Sequence, residues 1–193
     1  MLVAVSGTIG AGKSTFCGQL AQELGYEIVP EPVRDNPYLS DFYEDPHRWA
    51  FASQVFMVTH RFRRYLDVSR LEGGFVFDRF LFEDRVFAEV CRDMGYMTPR
   101  EWDTYEALQE SFIGTVRQPD LVIYLRVTPE TANRRIVSRG RLSEQSIGID
   151  YLRRLHVAYE NWIQSLDRKG IKTRVIDWST FRPLSEVLPR IDL

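Results

Sequence analysis

Apolar residues gather in five short runs along the chain: LVAVS at 2–6, YEIVP at 26–30, GFVFD at 74–78, DLVIYLRV at 120–127 and KTRVID at 172–177. Their β-branched and aromatic content predicts strands. The near-continuous apolar character of the first and fourth marks strands covered on both faces. Between them, apolar positions recur at helical spacing, predicting helices near 13–24, 47–71, 80–94, 99–117, 130–139, 148–169 and 183–191. Thr98 and Pro99 supply a cap and first turn for one helix, and Gly170 follows the end of another at Lys169. Strands alternating with helices predict an α/β fold built on a parallel sheet. No repeat, low-complexity segment or linker interrupts the pattern, so residues 1–193 read as a single domain.

Composition narrows the function classes. Apolar residues make up 44% and charged residues 27% of the 193, and the net charge is −2. That balance offers no general attraction to polyanions, so neither nucleic acid nor a membrane surface is an expected partner. Cys17 and Cys91 lie far apart without metal-ligand spacing and read as small, reduced apolar residues. No run is long and apolar enough to span a bilayer, and the first residues lack a secretory pattern, so a cytoplasmic location is expected. The only lysines are Lys13, Lys169 and Lys172, which makes arginine the default cation of the chain.

The first strand runs directly into GTIGAGKST, residues 7–15, and then into a helix. This matches G-x-x-x-x-G-K-[ST] in the strand-to-helix setting that the motif requires. Gly7, Gly10 and Gly12, with Thr8, Ile9 and Ala11 between them, let backbone N–H groups wrap phosphates. Lys13 reaches the β and γ phosphates, Ser14 is a magnesium ligand, and Thr15 completes the ATP-binding stretch. ATP or another nucleoside triphosphate is therefore the expected ligand. No N-K-x-D motif for reading guanine follows, which turns attention from switch proteins to kinases and to the acceptor site.

Three further clusters are candidates for that site. Glu31, between two prolines in VPEPV, sits at the carboxyl end of the second strand and is either a base for a hydroxyl proton or a solvated loop acid. Asp78 and Arg79 end the third strand, Asp78 as a magnesium partner of Ser14 or as a helix cap, and Arg79 as a group that orients Glu31 or the acceptor hydroxyl. On the helix from Pro46, Phe51, Gln54, Val58, Arg61 and Tyr65 share one stripe. Gln54 and Arg61 either read the edge of a heterocycle, with Asp84 as the ion partner of Arg61, or face water. Arg134, Arg135, Arg139 and Arg141 crowd a helix end at Gly140, forming either a lid over transferring phosphates or a solvated cationic end.

GTIGAGKST, VPEPV, WAFASQ-x6-R, FDR-x4-D and RGRLSEQ, in this order, resemble the deoxynucleoside kinase family, in particular its bacterial deoxyadenosine, deoxyguanosine and deoxycytidine kinases. The resemblance covers nearly the whole chain. It implies a three-layer P-loop kinase fold with a five-stranded parallel sheet and an Arg-rich lid at about 135–147. It also implies transfer of the γ-phosphate of ATP to the 5′-hydroxyl of a deoxynucleoside, with Mg²⁺ and in a homodimer. Glu31 would be the general base and Arg79 its holder. Gln54, Arg61 and Asp84 would read the base, Tyr43 and Glu144 would grip the 3′-hydroxyl, and Arg135, Arg139 and Arg141 would belong to the lid. Asp177 would lie near the ATP adenine. Many relatives have serine where Phe80 stands, so the pocket wall is expected to differ, and Phe51, Phe80 and Phe87 are all eligible to stack on the base.

The Gln54, Arg61 and Asp84 set resembles that of members acting on adenine, guanine or cytosine deoxynucleosides, which implies purine acceptors first, deoxyadenosine or deoxyguanosine, with deoxycytidine as the further candidate. Two alternatives remain at this level. A nucleoside monophosphate kinase of the thymidylate type would share the P-loop, an E-P dipeptide and a D-R pair, with Arg34 on the acceptor phosphate. A catalytically silent nucleotide-binding subunit is the other.

Overall fold

The computed structural model describes residues 1–141, 144 and 146–191, apart from the side chain of Arg34. Five strands form one parallel sheet, β1 (Leu2–Ser6), β2 (Glu27–Val29), β3 (Phe75–Asp78), β4 (Leu121–Arg126) and β5 (Thr173–Asp177), in the order β2-β3-β1-β4-β5. The helices are α1 (Lys13–Leu24), α2 (Leu39–Glu44), α3 (Pro46–Ser69), α4 (Asp84–Asp93), α5 (Pro99–Ile113), α6 (Pro129–Arg139), α7 (Ile149–Arg168) and α8 (Leu184–Ile191).

Strand periodicity separates two cores. Leu2 and Ala4 of β1, Phe75 and Phe77 of β3, and Val122 and Tyr124 of β4 face one cluster, which also takes Val58 and Tyr65 of α3, Val86 of α4, Tyr105 of α5 and Leu155 of α7. Val3 and Val5, Val76, and Leu121, Ile123 and Leu125 face the other, with Phe16 and Leu20 of α1 and Val187 and Ile191 of α8. Alternate side chains of one strand thus feed opposite layers, which is why the inner strands read as unbroken apolar runs. The edge strands β2 and β5 are partly exposed, and their sequences are accordingly less apolar.

Local signals set several boundaries. Thr98 and Glu101 form a reciprocal capping box ahead of α5, and Gly170, at φ 72°, follows the end of α7. Four details depart from the pattern read in sequence. The helix expected over 80–94 begins only at Asp84, because Arg79 has φ 68° and Phe80 is extended, leaving one 3-10 turn at Leu81–Glu83. The helix expected to reach 117 ends at Ile113, and the Arg117 N–H instead donates to the Tyr65 hydroxyl at 2.7 Å. The one expected to reach 71 ends at Ser69. Helix α2 was not signalled by periodicity, since it spans only six residues. It is set by Asn36, whose side-chain Oδ1 accepts from Tyr38 N–H at 2.9 Å and whose Nδ2 donates to Ser53 Oγ at 3.0 Å, and by burial of Phe42.

Candidate active site

Sheet register brings three loops together. Val5 pairs with Asp78, and Val29 with Phe77. Because β2, β3 and β1 are adjacent and parallel, their carboxyl ends share one edge, and Glu31, Asp78, Arg79 and the 7–15 loop emerge side by side. They line a cleft of about 430 Å³ together with Ile9, Gly10, Gly12, Lys13, Ser14, Thr15, Tyr43, Gln54, Arg61, Asp84, Phe87, Arg139, Arg141 and Glu144.

The loop before α1 has the conformation that its glycines permit. Gly10 has φ 78°, and a Cβ there would lie 2.6 Å from the Ala132 carbonyl oxygen. At Gly12, φ is 93° and a Cβ would meet the Phe181 ring at 2.9 Å. Lys13 is buried and donates to the carbonyls of Gly7 and Thr8 at 3.0 Å each. Burial and then the nearby Arg79 push its ammonium down to a pKa of about 8, against the pull of Glu31, Asp78 and Glu83.

Ser14 donates its hydroxyl proton to Asp78 Oδ2 at 2.6 Å. Asp78 Oδ1 is buried without a hydrogen-bond partner among the described residues, and burial raises its carboxyl above the usual range despite Lys13. Asp78 is therefore not the cap of the following helix. A hydroxyl beside a carboxylate with one oxygen left over is a donor set that fits Mg²⁺.

Glu31 is held by two guanidiniums. Arg79 Nε lies 2.7 Å from Glu31 Oε1, and Arg61 donates to the same oxygen at 3.1 Å. Burial works to raise the Glu31 carboxyl, but Arg79, Lys13 and Arg61 together outweigh it and hold it below its ordinary value. Arg61 also pairs with Asp84, its candidate ion partner in the sequence. Gln54 and Arg61 are buried on α3 rather than facing water, and the Gln54 amide makes no protein hydrogen bond among the described residues. It is thus a free donor and acceptor inside the cleft.

Arg79 has further partners. Its Nη1 donates to Glu83 and to the Tyr159 hydroxyl, Tyr159 donates to Glu83, and the guanidinium lies 4.6 Å from the Phe87 ring centroid. Burial lowers and Glu31, Tyr159 and Glu83 raise the Arg79 pKa, leaving it well above the ordinary value. The sequence carries no signal for Glu83 and Tyr159, since 79–83 is not α-helical and its four-residue step does not act as a helical pair.

The remaining candidates divide. Tyr43 and Glu144 both line the cleft, and Glu144 accepts from Arg139 and from Arg141, the latter at 3.2 Å. Arg135 stands outside the cleft lining: it donates to the carbonyls of Ala11 at 3.1 Å and Trp178 at 2.7 Å and lies over Phe181, tying the phosphate loop to the segment after β5. Asp177, exposed, accepts from Ser179 N–H at 2.9 Å. Phe80 does not form the pocket wall; it is buried against Phe77, Tyr65 and Phe82. Of the three eligible rings, Phe87 alone is in the lining. Leu142, Ser143 and Gln145 of the RGRLSEQ motif lie outside the described residues.

A family model described as deoxynucleoside kinase matches residues 3–186. A deoxyadenosine kinase of Dictyostelium discoideum is 37% identical over 179 residues, which cover 93% of this chain and 73% of that one. The deoxyadenosine/deoxycytidine kinase of Bacillus subtilis (strain 168) is 37% identical over 181 residues, covering 92% and 83%. A solved structure of deoxyadenosine kinase from M. mycoides with bound dATP matches with a TM-score of 0.89 at 33% identity, over 100% of both chains. The chain therefore belongs to the deoxynucleoside kinase family, phosphotransferases whose acceptor is a hydroxyl group.

Proposed function

We propose that this chain, as one kinase domain over 1–193, transfers the γ-phosphate of ATP to the 5′-hydroxyl of a deoxynucleoside, with purines preferred. The observation that carries this reading is the position of Glu31, ionised by Arg79 and Arg61 and lining the same cleft as Lys13 and Ser14. A lowered pKa keeps the carboxylate fully ionised near neutral pH, so that it is in the form able to take a hydroxyl proton in the transition state, and the stiff Pro30 and Pro32 backbone keeps it in place. Lys13 and the loop N–H groups hold the donor phosphates, and Arg139 and Arg141, in the same cleft lining, add positive charge. Ser14 and Asp78 would hold Mg²⁺, which supplies charge neutralisation on the phosphate oxygens when bound.

At the acceptor end, the unpaired Gln54 amide and the Arg61–Asp84 pair present donors and acceptors to a base edge, and Phe87 offers a face for stacking. Tyr43 and Glu144, which line the same cleft, would meet the sugar. Support for purines comes from relatives named deoxyadenosine and deoxyguanosine kinases. The family resemblance also points to a homodimer, which sedimentation of the purified chain tests.

The functional test is acceptor-dependent ADP release from Mg-ATP across the four deoxynucleosides, the matching ribonucleosides and their monophosphates. Preference for a purine deoxynucleoside supports the reading. A response to monophosphates alone overturns it in favour of a nucleoside monophosphate kinase.

A further inference from the structure

The arginine beside Glu31 is oriented from behind. Arg79 has φ 68°, a conformation that a residue with a side chain holds only when its surroundings fix it. Two side chains outside the cleft lining do so. Glu83 is completely buried, and its Oε1 accepts from Arg79 Nη1, from the Tyr159 hydroxyl and, at 3.4 Å, from the Gly7 N–H of the phosphate loop. Tyr159 is equally buried, with its ring parallel to Tyr124 of β4 at 5.6 Å and edge-on to Trp162 at 6.1 Å. The sheet therefore sets where that hydroxyl stands. Burial, reinforced by Glu83, keeps Tyr159 protonated far above neutral pH, so its O–H remains a donor.

We propose that Glu83 and Tyr159 form a positioning pair that fixes the Arg79 guanidinium against Glu31 and, through the Gly7 N–H, couples the phosphate cradle to the acceptor base. The catalytic part of this inference rests on the functional reading of Glu31 and Arg79 above. With Glu83 and Tyr159 occupying Nη1, the guanidinium cannot rotate about its own chain without breaking several charge-assisted bonds, and Nε is held 2.7 Å from Glu31 Oε1 as an ion-pair contact outside hydrogen-bond geometry. A second consequence follows from the shared oxygen. Displacement of Gly7 by phosphate in the loop changes the demand on Glu83 Oε1 and so the hold on Arg79.

If Glu83 merely neutralised a buried cation, the Tyr159 hydroxyl would be dispensable. Tyr159→Phe tests this, because it keeps the ring packing and every charge. Solvent exchange of the Arg79 Nε–H, followed by NMR of protein labelled with ¹⁵N-arginine and assigned with Arg79→Lys, should rise at least about 10-fold, the scale of one hydrogen bond to a charged group. The kcat should fall about 10-fold while KM for ATP stays within about twofold, and adding Tyr159→Phe to Arg79→Lys should lower kcat no further. Glu83→Gln, which keeps the shape without the charge, should raise the same exchange and also shift the Gly7 amide resonance. Unchanged Arg79 exchange in both variants overturns the positioning role. A full added loss in the Arg79→Lys background overturns it too, and an unmoved Gly7 resonance overturns the coupling to the cradle. A wild-type protein inert toward every deoxynucleoside overturns the functional reading instead, and the exchange measurement then still decides whether the pair fixes Arg79.

Discussion

Replacing Glu31 by glutamine removes one charge and little volume. The side chain is 17% exposed, and its Oε1 accepts from Arg61 at 3.1 Å and lies 2.7 Å from Arg79 Nε, so the amide oxygen of glutamine still meets the Arg61 donor. What is lost is the ability to take a proton. For a general base this lowers kcat by at least about 10²-fold, or about 2.7 kcal/mol of barrier. Folding is affected less, because Arg79 keeps Glu83 and Arg61 keeps Asp84 as counter-charges. Loss of one charge-assisted contact costs about 1–2 kcal/mol, a fall in Tm of about 2–8 °C for a chain of this size.

Initial rates of ADP release, ATP binding by calorimetry and thermal unfolding separate these effects. The pH dependence adds a signed test. The folded pKa of Glu31 is depressed, so its contribution to stability is present above the ordinary carboxylate value and disappears as pH falls through the lowered one. The glutamine variant should lack that part of the acid-side slope. In the wild type, the acid limb attributed to Glu31 should lie below the usual carboxylate range. A kcat within about threefold of wild type, in a protein that still binds ATP and unfolds cooperatively, would refute the base assignment.

The Lys13 ammonium, with a pKa of about 8 in the free protein, should be driven back to its charged form by bound phosphates; calorimetry at pH 8 in buffers of different ionisation heat should show uptake of about half a proton on ATP binding, and none would count against its place in the cradle. Gly10→Ala forces a Cβ to within 2.6 Å of a backbone oxygen at φ 78°, so it should cost about 1–2 kcal/mol of stability and weaken ATP binding at least about 10-fold, whereas Gly18→Ala, with open space around it, should do neither. Asp78→Asn leaves a partner for Ser14 but removes the carboxylate charge, and the magnesium concentration for half-maximal activity should rise about 10–100-fold; an unchanged requirement would remove Asp78 from the metal site.

The phosphate loop was legible in the sequence because its chemistry is local: glycines, a lysine and a serine at fixed spacing between a strand and a helix need no distant partner to be recognised. The buried strands and most helices were legible for the same reason, since period-two and period-3.6 burial leave their mark on neighbouring positions. Even the Arg61–Asp84 pair was named from the interruption of an apolar stripe. Other features depended on contacts across the fold. Phe80 looked like a pocket residue until the left-handed Arg79 turned it into the core against Tyr65 and Phe77. Arg135 counted among the lid cations by proximity in sequence, yet the path of the segment after β5 draws it to Ala11 and Trp178. Glu83 and Tyr159, 76 residues apart, meet only because α7 packs over β4 and α4, and no pattern within either segment encodes a shared hydrogen bond. Sequence determined which residues carry charge and which faces are buried; tertiary packing decided which buried charges face each other, because that choice depends on register and crossing between elements far apart in the chain.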